Sequence, residues 1–314
     1  MPAIPLIDLH QDFILHIKNP ELFKNKGQTG FAMLQRANVK VLMATAFPNP
    51  PEENYFNPVV NQLIEKDFLQ YNEYAKTKPD WAIIKNAADL ERILNSKNLR
   101  GFILHIEGLN VLPEDHFETL EKWYGLGWRS LGPVWNYDNP LGGGTLGKTG
   151  LTEQGKKIIS WLEKRRMILD FAHMNEKTFF ETAAIYNSPI LVSHANAKSI
   201  FLNNRNLSDD QLKKIKASGG IVGVFCAKKF ISEKNSVSVK DLIRHINKIR
   251  DVAGVQSIAI GTDFGGLISG VPKDLNSISQ IAVLAKALKQ EGYTDSEIEK
   301  IFFGNALRVL KQTL

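Results

Sequence analysis

The chain has 314 residues, of which 43% are hydrophobic and 23% charged, and its formal net charge is +6. These values are typical of an ordinary globular protein with a sizeable core, and no apolar run is long enough to predict a membrane span. The positive charge does not predict a nucleic-acid surface, because the lysines are interleaved with acidic residues and form no basic run that alternates with aromatic residues.

The N-terminus carries no basic segment followed by a long apolar stretch, so it does not resemble a secretory signal. Cys226 is the one cysteine, which excludes an intrachain disulfide and fits a reducing compartment. We therefore expect a cytoplasmic location.

Short apolar runs, each followed by a polar turn and a helix-like stretch, recur along the chain. In chain order they are PLIDLH, VKVLMATAF, GFILHIEG, WRSLGPVW, MILDFAH, PILVSH, GIVGVFC and SIAIGTDF. Their apolar residues are mostly continuous, which predicts strands covered on both faces, as in a parallel sheet. The stretches between them place apolar residues at helical spacing, and one of these helices is predicted to begin with Ser208 as its N-cap.

Eight strands alternating with helices predict the α/β class and a (β/α)8 TIM barrel, whose usual size of about 250 residues leaves roughly 60 for terminal helices and longer loops. We expect residues 1–314 to form this single domain. A doubly wound open sheet is the competing fold, but no glycine-rich nucleotide fingerprint follows the first strand. The segment LGGGTLGKTG, residues 141–150, lacks P-loop spacing. We interpret it as a mobile loop over the barrel mouth.

Ionisable side chains stand at or near the ends of five predicted strands. A barrel brings the C-terminal ends of its strands to one mouth, where barrel active sites lie. We therefore expect these residues, although distant in sequence, to converge: His10, Asp12, Glu107, His173, His194 and Asp263.

Three histidines with carboxylates suit borderline divalent metals, zinc above all. One catalytic zinc usually takes three protein ligands, so five candidates favour two ions. His10 and Asp12 would hold one ion and His173 and His194 the other, with Glu107 as a bridge. Two ions about 3.5–4 Å apart can share a hydroxide that forms near neutral pH.

Asp263 is then predicted to take the proton from that water and pass it to a leaving amine. The sequence IAIGTDFGG places this acid beside glycines, which permit close backbone approach. Asp8, one strand step below the first ligand, is predicted to orient a ligand or to cap backbone groups. We interpret His105 as a core or supporting residue, and His245 as a hydrogen-bonded structural residue.

These residues resemble the membrane (renal) dipeptidases, a dinuclear zinc branch of the amidohydrolase-type barrels, over nearly the whole chain. The motifs that carry the resemblance are DLHQD, HIEG, LDFAHMN, ILVSHANA, NNRNLSDDQL and IAIGTDFGG. The resemblance implies two zinc ions and the hydrolysis of dipeptides, including ones with a C-terminal D-residue, by a metal-bridging hydroxide. It assigns the five ligands as above, Arg205 as the group that receives the substrate carboxylate, and Asp263 as the strand-eight acid.

The chain departs from the family pattern at two positions. Trp135 stands where the family carries a histidine credited with polarising the scissile carbonyl, and Gly265 replaces an acid in the common DFDG motif. Trp135 cannot accept a proton, although its indole N–H can donate a hydrogen bond. We interpret it as a wall of the substrate pocket. The change leaves open an amidohydrolase-type enzyme acting on another amide, a lactone or a modified amino acid.

A non-catalytic binding protein is a third hypothesis, which the complete ligand set and Asp263 argue against. The expected partner is a small-molecule dipeptide, without nucleic acid or membrane, and a homodimer is left open.

Overall fold

The computed structural model describes residues 4–18, 27–46, 58–109, 116–267 and 270–314. The chain divides into two compact units. The first unit comprises Met1–Leu42 and Pro189–Leu310, and the second comprises Met43–Ser188 and Lys311–Leu314. The chain thus leaves the first unit within its second strand and re-enters it at the start of the sixth of the eight predicted strands.

Strands and helices alternate, as in an α/β fold. The strands of the described ranges are β1 (Leu6–Gln11), β2 (Val39–Ala46), β3 (Trp81–Ile83), β4 (Arg100–Glu107), β5 (Trp128–Gly132), β6 (Ile168–Leu169), β7 (Leu191–Ala195), β8 (Ile221–Val224) and β9 (Ile258–Ile260). All eight predicted strands are present, and β3 is a ninth that the sequence did not predict.

The α-helices lie between and after these strands along the chain. They are α1 (Phe13–Lys18), α2 (Phe31–Arg36), α3 (Pro58–Thr77), α4 (Ala87–Asn95), α5 (His116–Leu126), α6 (Glu153–Lys164), α7 (Glu176–Ile185), α8 (Asp209–Ala217), α9 (Val239–Ala253), α10 (Ala282–Gln290), α11 (Asp295–Glu299) and α12 (Asn305–Thr313). Within the described ranges, no helix combines the length and apolarity needed to cross a bilayer.

In the first unit, four strands pair in the order β1–β9–β8–β7, and each of these pairs is parallel. Asp8 of β1 stands opposite Ile260 of β9. The apolar residues Leu6, Ile7 and Leu9 of β1 are fully buried. β1 is therefore a central strand, as its nearly continuous apolar sequence predicts.

In the second unit, β4 pairs in parallel with β3 and with β5, and β5 pairs in parallel with β6. The ring of Trp81, on β3, stacks on the ring of Phe102, on β4, at 4.3 Å between centroids. Trp123 and Trp128 are fully buried and meet edge to face at 5.9 Å. Aromatic packing of this kind stabilises the unit beyond the area that it buries.

Helix starts follow local capping chemistry. The Ser208 hydroxyl oxygen accepts a hydrogen bond from the backbone N–H of Gln211, and the Ser208 N–H donates to the Gln211 side-chain oxygen, so α8 begins with a capping box. The prediction of Ser208 as an N-cap is confirmed. Asn175 caps α7 by accepting the Thr178 N–H at 2.8 Å.

The glycine-rich loop, residues 141–150, is held by hydrogen bonds in the second unit, which does not support the interpretation of a mobile loop. Asp138 accepts the backbone N–H groups of Lys148 and Thr149 and the Thr149 hydroxyl. Asn175 donates its side-chain amide to the carbonyl oxygens of Gly147 and Thr149. The loop therefore has a defined path that its glycines allow.

His245, buried in α9, joins two loops of the first unit, and its interpretation as a structural residue is confirmed. Its Nδ1 accepts the Ala197 N–H at 3.1 Å, and its Nε2 donates to the Ile231 carbonyl at 2.9 Å. This pair of bonds requires the neutral ring with the proton on Nε2. Burial lowers the pKa of His245, although the hydrogen bond to the Ile231 carbonyl opposes the shift.

The lowered pKa of His245 gives a testable pH dependence. Because the unfolded chain binds a proton near pH 6.5 and the folded chain does so only at lower pH, stability should fall as the pH is lowered below about 6.5. His245→Asn removes this titration and one hydrogen bond, so we expect it to cost about 1–3 kcal/mol at pH 8. The difference in unfolding free energy between the two proteins, measured by urea denaturation, should shrink towards pH 5. A pH-independent difference would contradict this account.

Candidate functional site

The first unit brings together His10, near the end of β1, Asp12, just beyond β1, and Asp263, which follows β9. Each offers a ligand atom, and these atoms lie within 4.8 Å of one another. Nε2 of His10 is 3.5 Å from Oδ1 of Asp263 and 4.0 Å from Oδ1 of Asp12. Asp263, the predicted proton carrier, therefore lies at least as close to His10 as Asp12, the predicted ligand, does.

The charges and hydrogen bonds of this group fit a cation. Oδ1 of Asp12 is buried and accepts no hydrogen bond from any residue that the structure describes. Burial raises the pKa of Asp12 to about 7. The pKa of Asp263 is raised well above its usual value by burial and by the charge of Asp12, while Arg205 opposes the shift. A divalent ion would compensate both carboxylates, so the donor set suits a metal.

Asp8 links β1 to the segment that follows β9 through hydrogen bonds. Its carboxylate is fully buried and accepts hydrogen bonds from the Thr262 N–H at 2.9 Å, the Thr262 hydroxyl at 2.6 Å and the Gln11 side-chain amide at 2.6 Å. The His10 N–H also points to it at 3.4 Å. Burial raises the pKa of Asp8. The predicted role of Asp8 in capping backbone groups is confirmed.

The two glycines after Asp263 bring the backbone close to Asp12. Gly265 has a φ of +111°, in the region that favours glycine, and a Cβ on it would lie 2.8 Å from the Asp12 carbonyl oxygen. A Cβ on Gly266 would collide with Oδ2 of Asp12. The close backbone approach predicted from these glycines is therefore present, and the backbone at Gly265 and Gly266 approaches Asp12.

Gly266→Ala is therefore expected to displace the Asp12 carboxylate. We expect zinc affinity to fall by about 10–100-fold, the effect typical of disturbing the surroundings of a metal ligand. The measurement is zinc titration against a competing chelator. Gly125→Ala is the matched control, because a Cβ there meets no described atom within 4 Å and alanine suits the helix α5. An unchanged affinity in Gly266→Ala would contradict the predicted clash.

His194 lies at the end of β7 in the same unit as His10. The two rings are 4.0 Å apart between centroids. The Ser193 hydroxyl is 2.8 Å from Nδ1 of His194 and 3.5 Å from Nδ1 of His10. The hydroxyl thus faces the same ring nitrogen on both histidines, which leaves Nε2 of each directed away from it.

Arg205 is buried in the first unit, with 4% of its surface exposed. Its guanidinium carbon lies 5.2 Å from the centre of the Phe225 ring, and that ring meets His194 edge to face at 4.9 Å. The positive charge acts on Asp263, whose pKa it lowers. A buried guanidinium near the acidic group is suited to receive a carboxylate.

The second unit brings Glu107 and His173 together. Oε1 of Glu107 is 3.0 Å from Nε2 of His173, and both residues are buried or nearly so. Glu107 ends β4, whereas His173 lies four residues beyond β6, with a left-handed φ of +64°. The Trp135 ring is 6.0 Å from the His173 ring and is half-buried, a position consistent with a pocket wall.

Asp170, a buried carboxylate that was not among the predicted site residues, precedes His173 by three positions. Asp170 accepts the Ala172 N–H at 2.9 Å, and its Oδ2 is 3.5 Å from Nε2 of His105. Burial lowers the pKa of His105 to about 4, although Asp170 opposes the shift. Nδ1 of His105 lies 2.9 Å from the Ser130 hydroxyl. Asp170 could have been predicted as a site residue, because an acid within the apolar run MILDFAH needs a partner when it is buried.

Comparisons with known proteins agree on one family. The profile of the membrane dipeptidase family (peptidase family M19) matches residues 1–314. An uncharacterised protein of the pqqA 5′ region of Klebsiella pneumoniae is 34% identical over 238 residues, covering 72% of this chain and 86% of that protein. An uncharacterised dipeptidase of Schizosaccharomyces pombe is 26% identical, covering 98% of this chain and 80% of its own.

Two solved structures share the fold. Dipeptidase AC, a metallopeptidase of family M19, is 24% identical with a TM-score of 0.89, and 99% of each chain is covered. A metallopeptidase from Rhodobacter sphaeroides, liganded with a phosphinate mimic of the dipeptide L-Ala-D-Ala, is 23% identical with a TM-score of 0.88, covering 99% of this chain and 100% of that one.

Proposed function

The chain belongs to the membrane dipeptidase family, peptidase family M19, and we propose that it is a zinc-dependent dipeptidase that accepts a D-residue at the C-terminal position. The family makes the chain a hydrolase of the metallopeptidase type. The observation that carries the proposal is the partly buried group of His10, Asp12 and Asp263, in which Oδ1 of Asp12 accepts no hydrogen bond from the described residues. The L-Ala-D-Ala mimic bound by the Rhodobacter sphaeroides metallopeptidase supports the substrate class.

We propose two zinc ions, one held by His10 and Asp12 and the other by His173 and His194, with Glu107 shared. Three imidazoles and two carboxylates are a donor set that zinc prefers. The 3.0 Å contact of Glu107 with His173 supports placing these two residues on the same ion. When bound, the ions would supply Lewis-acid activation of the scissile carbonyl and of a water molecule.

Asp263 is the proposed proton carrier. Its backbone N–H donates to the His10 carbonyl at 2.9 Å, which keeps its carboxylate beside the histidine. It takes a proton from the attacking water and delivers it to the amine nitrogen that leaves. Arg205 binds the C-terminal carboxylate of the dipeptide through its buried guanidinium.

A second candidate function follows from Trp135, which replaces the histidine typical of the family. Its half-buried ring beside His173 can shape the pocket but cannot accept a proton. This residue favours the alternative that the enzyme acts on another amide, a lactone or a modified amino acid. Fold alone does not decide between these substrates.

We also propose that the strands close into a (β/α)8 barrel and that residues 1–314 form a single domain. The parallel pairing within each unit and the likeness to M19 dipeptidase structures support a barrel. A homodimer and a cytoplasmic location stay predictions.

The test combines metal analysis with a substrate panel. Purified protein should hold two zinc ions per chain and hydrolyse L-Ala-D-Ala or L-Ala-L-Ala faster than N-acetyl amino acids and lactones. Two zinc ions with activity on lactones or N-acyl amino acids alone would favour the second candidate. Two zinc ions with no turnover of any dipeptide would overturn the dipeptidase, and no zinc would overturn the metal site.

A further inference from the structure

The glycine-rich loop, residues 141–150, has no part in the function proposed above, yet it lies against the segment that carries His173. Gly144 and Met174 form an antiparallel bridge. The Asn175 N–H donates to a carbonyl of the loop at 3.1 Å. The loop therefore runs beside the backbone immediately after a proposed metal ligand.

The backbone of His173 needs such support. Its φ of +64° is left-handed, a conformation that a residue with a side chain adopts at a cost and keeps only when its surroundings hold it. Before it, Asp170 accepts the Ala172 N–H at 2.9 Å. At His173 itself, the Thr145 hydroxyl donates to the carbonyl at 3.2 Å. Thr145 is thus the loop residue that bonds directly to His173.

The same hydroxyl also faces the imidazole. Oγ1 of Thr145 lies 3.5 Å from Nδ1 of His173, at the long end of hydrogen-bond distance. Since its one proton is donated to the His173 carbonyl, the oxygen meets Nδ1 as an acceptor and favours the tautomer with the proton on Nδ1. Nε2, the atom 3.0 Å from Glu107, then keeps the lone pair that an ion requires.

We propose that Thr145 is a positioning residue, which holds the left-handed backbone of His173 and selects the ring tautomer that presents Nε2 to a metal ion. This inference rests on the proposed function, because it takes His173 to be a ligand. Metal-binding histidines commonly donate their second ring N–H to a nearby acceptor, and that partner fixes the ring.

The proposed role of Thr145 explains why the residue before it is a glycine. The Thr145 N–H donates to the Trp135 carbonyl at 3.0 Å, and a Cβ on Gly144 would collide with that same carbonyl. Glycine at this position therefore lets Thr145 approach both Trp135 and His173. The composition of LGGGTLGKTG reflects close backbone packing beside a ligand.

The first measurement is metal affinity of the full chain, stripped with a chelator and titrated with zinc against a chromophoric competitor. Thr145→Val keeps the side-chain shape and should weaken one of the two zinc sites by about 10–100-fold. Thr145→Ser should restore an affinity near that of the wild type. Thr182→Val is the matched control, since Thr182 is buried in α7 and its hydroxyl has no hydrogen-bond partner among the described residues. Wild-type affinity in Thr145→Val, or an equal loss in Thr182→Val, would overturn the proposal.

The second measurement needs no metal. In the chelator-stripped protein, backbone amides of residues 171–175 should exchange with solvent several-fold faster in Thr145→Val than in the wild type, and not in Thr145→Ser or Thr182→Val. Equal exchange in all four proteins would overturn the positioning role. A wild-type protein that binds no zinc would instead overturn the proposed function, and the exchange result would still decide the backbone role of Thr145.

Discussion

Asparagine in place of Asp263 is expected to lower kcat by about 10²–10⁴-fold, the range that general acid–base groups contribute. The substitution preserves the size of the side chain, and asparagine tolerates the left-handed φ of +60° at this position. It removes the carboxylate that we propose carries the proton to the leaving amine. KM should change little, because the amide still fills the same space. Steady-state kinetics with L-Ala-D-Ala provide the measurement.

The zinc content of Asp263→Asn separates two roles for this carboxylate. Two ions per chain with a low kcat fit a proton carrier. A loss of zinc would show that Asp263 is a ligand, which its 3.5 Å distance to Nε2 of His10 makes a fair alternative. Asp251→Asn is the control, because Asp251 is exposed at the end of α9 and pairs with Arg250. Full activity in Asp263→Asn would contradict any catalytic role.

Alanine in place of His173 is expected to remove one of the two proposed zinc ions and to reduce kcat by about 10³-fold or more. A metal ion supplies several kcal/mol of transition-state stabilisation, and each 1.36 kcal/mol corresponds to a factor of ten. The variant also leaves the Glu107 carboxylate without the imidazole that lies 3.0 Å from it. Zinc per chain, measured by mass spectrometry, and kcat from the same sample test both expectations.

His245→Asn serves as the control for His173→Ala, since His245 is a buried histidine that bonds only loop backbone in the contacts described above. It should keep both zinc ions at pH 8, although its stability falls. Retention of two ions and of activity by His173→Ala would show that the assignment of the second-unit ligand is wrong.

The strands could be predicted because their apolar runs are long and bounded by polar turns. β3, Trp-Ala-Ile, escaped prediction because it is stabilised by pairing with β4 and by stacking of Trp81 on Phe102. Such stabilisation comes from tertiary contacts, which local sequence does not report.

The identity of the candidate site residues was predictable from ionisable groups near strand ends, but their conformation was not. His173 and Asp263 lie beyond β6 and β9, both with left-handed backbones. A histidine or an aspartate in a sequence does not by itself predict a positive φ. The hydrogen bonds that hold these conformations come from distant residues, Thr145 for one and the His10 carbonyl for the other.

The network around Asp8 has a consequence for how the protein is made. Its carboxylate joins β1 to Thr262, 254 positions along the chain. At a synthesis rate of about 5–20 residues per second, the ribosome needs roughly 10–50 s to cover that separation. Most of the second unit, Met43–Ser188, emerges in that interval as one continuous stretch. β1 meanwhile lacks its β9 neighbour, so the group of His10, Asp12 and Asp263 can assemble only once most of the chain has been translated.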